Sequence, residues 1–402
     1  MRCSAMTDEP AGRTEAYDYE LPAELIAARP AARRDASRLL VLDRARGRFT
    51  DAAFPALLER LSAGDAVVVN DSRVFPARLL GRKPTGARAE ILLVRPESDA
   101  LQPFAPFDDF DEADTRLWRA MVRPGGKLKP GRTVDIADGF AVDILDSASD
   151  GTRLVRLAGD GDPWSLIQRH GRVPLPPYIV RDTRDTRDTG DTGDDADDRE
   201  RYQTVYAAPS GSIAAPTAGL HFTREMLAAV ESRGVRLVSL TLHVGFGTFR
   251  PVTAERIDEH EVAAEAYSFS SSAAAALNAT RAAGGRVFAV GTTSCRVLET
   301  VVARAGAGAG GSAAGAGGSA AGAGGSSGGP FAPGRGWTNL FIRPPYTFRA
   351  VDALVTNFHL PRSSLLMLVA AFAGRELTLE AYAHAIRGRY RFYSYGDAMV
   401  IT

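Results

Sequence analysis

The chain has 402 residues, 45% of them apolar, with 48 basic and 48 acidic side chains. Such a length and apolar share build a large core in two or three domains and exclude a disordered chain. Segment 181–200 holds eight Asp, one Glu and four Arg, a net of −5, so the remainder is only +5. That is too mild for a nonspecific nucleic-acid binder, which needs a dense basic face that releases counterions.

In chain order, residues 1–16 read as a flexible tail without the apolar run of a signal peptide. DAVVVN (65–70) predicts a buried strand. Between 73 and 159 the runs ARLLGRK, AEILLVRP, LWRAMVRP, RTVDIAD, FAVDILD and RLVRLAG alternate with period two between Gly, Pro and Asp, which predicts a small antiparallel barrel or sandwich. QPFAPFDDFDEAD (102–114) is an excursion from it. PWSLIQRH (163–170) reads as a helix, residues 181–199 as an acidic disordered insertion, and REMLAAVESRG (224–234) as a helix closed by Gly, with Thr223 as its N-cap.

RLVSLTLHV, RVFAVGTTS leading into CRVLETVVARA, and VDALVTNFHLP leading into SSLLMLVAAFAG follow as strand and helix alternations. They are interrupted by a Gly/Ala/Ser-rich stretch, 305–335, with almost nothing to bury. The expected fold class is α/β, a largely parallel sheet flanked by helices, with an inserted antiparallel β-barrel domain. The α/β domain is discontinuous, 17–72 and 160–402, and the barrel is 73–159. The most apolar late run, Leu365 to Ala373, is about half a membrane span. With Cys3 and Cys295 as the only cysteines, neither a disulfide scaffold nor a four-cysteine zinc site can form, and the cytoplasm is the expected compartment.

Four polar strings sit where open α/β sheets bind ligands, at strand carboxyl ends. VGTTSCR offers Gly291, Thr292, Thr293 and Ser294, which serve equally well as a helix cap or as contacts to a carboxylate, phosphate or ribose. VTNFHLPRSSLL holds Thr356, Asn357, His359 and Arg362, more than a cap needs. LTLHVGFGTF sets His243 before Gly245 and Gly247, whose missing side chains let backbone pass close to a ligand; a buried, satisfied imidazole is the plainer alternative. PTAGLHFT joins Thr217 and Gly219 to His221, an imidazole able to exchange protons near working pH.

The six His never take the His-x-x-x-His spacing of a helical metal pair, no phosphate-binding P-loop or nucleophile elbow occurs, and no metal is expected. IRGRYRFYSYGDAM (386–399) interleaves Arg387, Arg389 and Arg391 with Tyr390, Phe392, Tyr393 and Tyr395, a pattern that suits either nucleic acid or a cationic edge strand.

NDSRVFPARL (70–79), HGRVPLPPYI (170–179), ERYQTVYA (200–207), AAPTAGLHFT (214–223), TLHVGFGTF (241–249), VGTTSCR (290–296), VDALVTNFHLP (351–361) and YRFYSYGDAM (390–399) together resemble the S-adenosylmethionine:tRNA ribosyltransferase-isomerases of queuosine synthesis, from Tyr17 to Thr402. The resemblance implies a monomeric α/β enzyme with an inserted barrel. Its expected partners are S-adenosylmethionine, as co-substrate and without further cofactor, and a tRNA carrying 7-aminomethyl-7-deazaguanine at the wobble position. On that template His221, His243 and His359 are the catalytic candidates. Thr217, Gly219, Gly245, Gly247, Thr292, Thr293, Ser294, Arg296, Asn357 and Glu265 are the substrate contacts, and Arg73, Arg389 and Arg391 the tRNA contacts.

The family's His-x-Met-His-x-Glu string reads HEVAAE here, with Ala263 in place of the second His. That departure keeps open a relative that binds S-adenosylmethionine but modifies another acceptor, and the C-terminal arginines keep open a noncatalytic RNA binder. Turnover with a different acceptor would select the former, and substrate binding without turnover the latter.

Overall fold

The computed structural model describes residues 12–97, 116–176, 178–179, 193–245, 247, 252–308 and 329–402. They fall into two compact units: Met1–Asn70, Thr217–Leu242 and Pro251–Thr402 in unit one, and Asp71–Pro216 with His243–Arg250 in unit two.

Unit one opens with β1 (Arg38–Asp43), β2 (Arg48–Ala53) and β3 (Ala66–Asn70). Unit two follows with β4 (Arg73–Val74), β5 (Arg78–Arg82), β6 (Arg88–Pro96), β7 (Leu117–Arg123), β8 (Thr133–Ala137), β9 (Phe140–Ser147), β10 (Arg153–Gly159), α1 (Pro163–His170), α2 (Gly193–Arg201) and β11 (Ser210–Ser212). Unit one resumes with α3 (Arg224–Ser232), β12 (Arg236–Leu242), β13 (Glu265–Phe269), α4 (Ser271–Ala282), β14 (Val287–Val290) and α5 (Gly291–Gly308). It ends with β15 (Gly334–Thr338), β16 (Ala353–Asn357), α6 (Ser364–Ala373), α7 (Arg375–Arg387) and β17 (Ala398–Ile401).

The sheet of unit one runs β15-β13-β12-β3-β14-β16-β17-β1-β2. At its centre β12, β3, β14 and β16 are parallel. Every residue of β3, β14 and β16 is buried, as strands covered on both faces require. The margins are antiparallel: β13 against β12 and β15, β17 against β16, and β2 against β1. The sheet is therefore mixed: four parallel strands at its centre, and one further parallel pair, β17 with β1, between the antiparallel pairings of one margin. Two successive helices, α6 and α7, separate β16 from β17 and return the chain to the end it left, so β17 runs backwards beside β16. Thr223, Ser270 and Ser363 cap α3, α4 and α6, each hydroxyl accepting a first-turn N–H.

In unit two, β10-β7-β6-β5-β8-β9 close into a barrel. The alternation along β6 puts Ala89, Ile91 and Leu93 inside with Trp118, Ala120, Val142 and Leu157. Strands β5 and β8 approach so closely at Gly81 that a Cβ there would lie 2.4 Å from the Asp135 carbonyl oxygen. β4 pairs with β11 instead of joining the barrel.

Some expectations differ. Unit two is wider than 73–159, so α1 and His243 group with the barrel. Within the expected acidic insertion, residues 193–201 form α2, because Arg199 reaches the carbonyls of Gln168 and Gly171 and Tyr202 is fully buried. Within 305–335, α5 continues to Gly308 and β15 begins at Gly334. The 102–114 excursion and residues 309–328 lie outside the described residues. No helix among those described is long and apolar enough to cross a membrane.

Candidate active site

Strand β14 passes into α5 without a loop, and Gly291 makes the turn at φ +87°, a left-handed backbone that L side chains adopt only with strain. A Cβ on Gly291 would stand 3.3 Å from Thr293 Oγ1 and 3.8 Å from Ala218 Cβ. The first-turn N–H groups of α5 have no acceptor within the helix, so this end is a source of donors. Ser294 is committed elsewhere: its hydroxyl donates to the Val290 carbonyl at 2.7 Å. Thr292 and Thr293 are buried, and Thr293 Oγ1 has no hydrogen-bond partner among the described residues.

The neighbouring strand β16 is in register with β14, Val355 opposite Val290, so Thr356 and Asn357 emerge at the same end of the sheet. A 3-10 turn, Thr217–His221, crosses both strand ends, with Ala218 beside Gly291 and His221 beside Asn357. Thr217 is half-buried and Gly219 buried in that turn.

His221 is fixed from both sides. Its Nδ1 lies 2.7 Å from Ser37 Oγ and its Nε2 lies 3.1 Å from Asn357 Nδ2. Asn357 Nδ2 also donates to the Tyr393 carbonyl at 3.1 Å. Tyr393 has φ +71°, and that left-handed backbone is found at the carbonyl receiving this bond. Because a carbonyl only accepts, the carboxamide must present its nitrogen there, and hence also to His221. Nε2 therefore accepts, and Nδ1–H donates to Ser37, whose hydroxyl donates to the Arg34 carbonyl at 3.5 Å. Asn357 Oδ1 is left buried without a partner among the described residues.

Burial foremost, then the charges of Arg391 and Arg34, pushes the His221 pKa down to about 3. His359 is also pushed to about 3, by burial; its Nε2 lies 2.7 Å from Thr356 Oγ1 and its backbone N–H donates to Tyr382 Oη. Both imidazoles are neutral near pH 7. The neutral rings, hydroxyls, a carboxamide oxygen and helix amides suit the neutral, hydroxyl-bearing part of a ligand, such as a ribose.

The other candidates are placed differently. In unit two, His243 is buried against Gly211, where a Cβ would come within 2.6 Å of Nδ1. Ser212 Oγ donates to Ser72 and accepts from Val244 N–H, which fixes the backbone next to His243. Gly245 and Gly247 are half-buried, and Phe246 and residues 248–251 lie outside the described residues.

Arg296 and Glu265 do not face the site as free ligands: they form a buried ion pair, and Arg296 also donates to the Leu340 and Thr338 carbonyls. Arg391 is held by the Arg29 and Tyr395 carbonyls, whereas Arg389 is exposed. Arg73 is exposed and donates to the Ala207 carbonyl. Tyr390, Phe392, Tyr393 and Tyr395 are core residues, so their rings offer no stacking surface for bases. Ala263 is exposed and His260 is partly so.

Sequence reading missed Ser37, which looks like an ordinary polar residue ahead of a strand, and the use of Tyr393 through its carbonyl instead of its ring.

The sequence model of the queuosine biosynthesis protein family matches residues 14–401. A relative from Trichlorobacter lovleyi, named S-adenosylmethionine:tRNA ribosyltransferase-isomerase, is 43% identical over 386 residues, 96% of this chain and 98% of that one. A solved structure of S-adenosylmethionine tRNA ribosyltransferase from Thermotoga maritima is 34% identical, covering 96% of this chain and 100% of that one, with a TM-score of 0.47. With a family match from one end of the described chain to the other, this protein belongs to the queuosine biosynthesis protein family.

Proposed function

We propose that this chain transfers the ribosyl moiety of S-adenosylmethionine onto 7-aminomethyl-7-deazaguanine at the tRNA wobble position and isomerises it, giving epoxyqueuosine-tRNA with release of adenine and methionine. The observation that carries this reading is the 43% identity to the Trichlorobacter relative of that name over nearly the whole of both chains. The polar convergence of Thr293, Asn357, His221 and the α5 amides supports it, since the reaction needs groups for ribose hydroxyls.

The chemistry also needs a base for the proton beside the sulfonium and an acid for departing adenine. His221 and His359, held neutral with pKa values near 3, are poor proton carriers at pH 7 and serve as positioning groups. His243 is then the proton-transfer candidate. Thr217, Gly219, Thr292, Thr293 and Asn357 contact the nucleoside. Arg73 and Arg389, both exposed, are the candidates for tRNA phosphates. The enzyme works as a cytoplasmic monomer with S-adenosylmethionine as co-substrate and no other cofactor.

The test is incubation of the purified chain with S-adenosylmethionine and tRNA bearing the aminomethyl-deazaguanine. Adenine release with a correspondingly heavier nucleoside is expected, and turnover only with another acceptor would overturn the acceptor assignment. His243→Ala is expected to slow adenine release about hundredfold or more; an unchanged rate removes His243 from the chemistry.

A further inference from the structure

We propose that Asn357 Oδ1 and Thr293 Oγ1 form the subsite for the ribose hydroxyls of the nucleoside, an assignment that rests on the ribosyl-transfer reading and deepens it. Both atoms are buried and lack partners among the described residues, an expensive condition for polar atoms in a core. They flank the same 3-10 turn, whose Ala218 stands 3.8 Å from where a Cβ on Gly291 would be and whose His221 bonds Asn357.

The identity of the ligand group follows from which atoms are already bound. Asn357 Nδ2 is engaged by His221 Nε2 and the Tyr393 carbonyl, so the free atom is the carboxamide oxygen, which can only accept. An ionised carboxylate or a phosphodiester has no proton to give it and is excluded. An ammonium has protons, but the positive charges of Arg391 and Arg34 that depress protonation of His221 oppose a second cation. The remaining class is a neutral donor.

An aromatic amine donates well and accepts poorly. A hydroxyl does both, giving its proton to Oδ1 or Oγ1 while its oxygen accepts from the Thr293 hydroxyl or from an amide at the start of α5. A vicinal diol supplies two such groups for two oxygens, one at the end of β16 and one in the first turn of α5, which follows the adjacent strand β14.

The test measures binding of S-adenosylmethionine, its 2′-deoxy and 3′-deoxy analogues, and an analogue whose purine lacks the 6-amino group, by calorimetric titration of the full chain. Loss of one or both ribose hydroxyls is expected to weaken binding about tenfold or more, and loss of the amine much less. Thr293→Val, close to isosteric, is expected to cost about tenfold for S-adenosylmethionine and almost nothing further for the analogue lacking the partner hydroxyl. Thr293→Ser keeps the hydroxyl and retains affinity, which separates lost bonding from lost folding.

Equal binding of the deoxy analogues, a loss confined to the purine analogue, or an equal penalty from Thr293→Val on every analogue would overturn the subsite. Failure of the wild-type chain to bind S-adenosylmethionine at all overturns the ribosyl-transfer reading together with it.

Discussion

A carboxamide looks the same from either end until its neighbours are known, and at Asn357 the neighbours decide its use. The Tyr393 carbonyl takes one N–H, and the other N–H faces His221 Nε2, which makes that imidazole an acceptor and sets its tautomer. A ring with a pKa near 3 carries no charge change between pH 6 and 8. His221→Ala is accordingly expected to lower the turnover number for adenine release about hundredfold through lost positioning, while the shape of the pH profile over that range stays as in the wild type. A limb that vanishes in the variant would instead assign a titration to His221. The residues themselves were legible, because His and Asn at the ends of apolar strands exceed what a cap requires. Their orientation was not, since it depends on a carbonyl 36 residues away in sequence.

Between elements, the buried Glu265–Arg296 pair ties β13 to α5, and the Glu299 carboxylate on the same helix accepts the Arg349 and Ala350 N–H groups ahead of β16. Arg296→Met leaves the Glu265 carboxylate without its charge partner, and a loss of about 3–5 kcal/mol in urea-unfolding stability is expected. Replacing both partners with apolar residues should recover most of it. A substrate-binding role would show the opposite pattern, weakened binding with stability intact. In the barrel, Gly81→Ala forces a methyl against the Asp135 carbonyl and is expected to cost about 1–3 kcal/mol, read as a lower urea midpoint. The barrel strands were legible from their period-two alternation, because each needs only one buried face. Helix α2 was not, because a run of Asp has nothing to bury by itself; Arg199, docked on two carbonyls of the α1 end, gives it an anchor that no local pattern encodes.

At the scale of the molecule, the parallel centre of the sheet collects polar side chains at one end, and their burial couples the site to stability. The strand and helix alternation disclosed that centre, whereas the antiparallel margins depend on chain returns such as α6 followed by α7. Two imidazoles in this end of unit one, His221 and His359, have folded pKa values near 3 against an ordinary 6.5. Their neutral forms are favoured by folding, so this contribution is complete above pH 6.5 and falls away as pH drops toward 3, where the unfolded chain binds protons that the folded chain refuses. At pH 5 each imidazole is expected to cost about 2 kcal/mol relative to pH 7. The buried Asp65 carboxylate, held below its ordinary pKa chiefly by hydrogen bonds and charge from Arg286 that outweigh its desolvation, stays ionised throughout that interval and adds no slope. Urea unfolding at pH 7, 6 and 5 should therefore show a steady decline, and a His221→Asn variant about half of it from these two sites. A wild-type midpoint unchanged from pH 7 to 5 would mean that both rings gain protons as readily folded as unfolded, and would overturn this account of their burial.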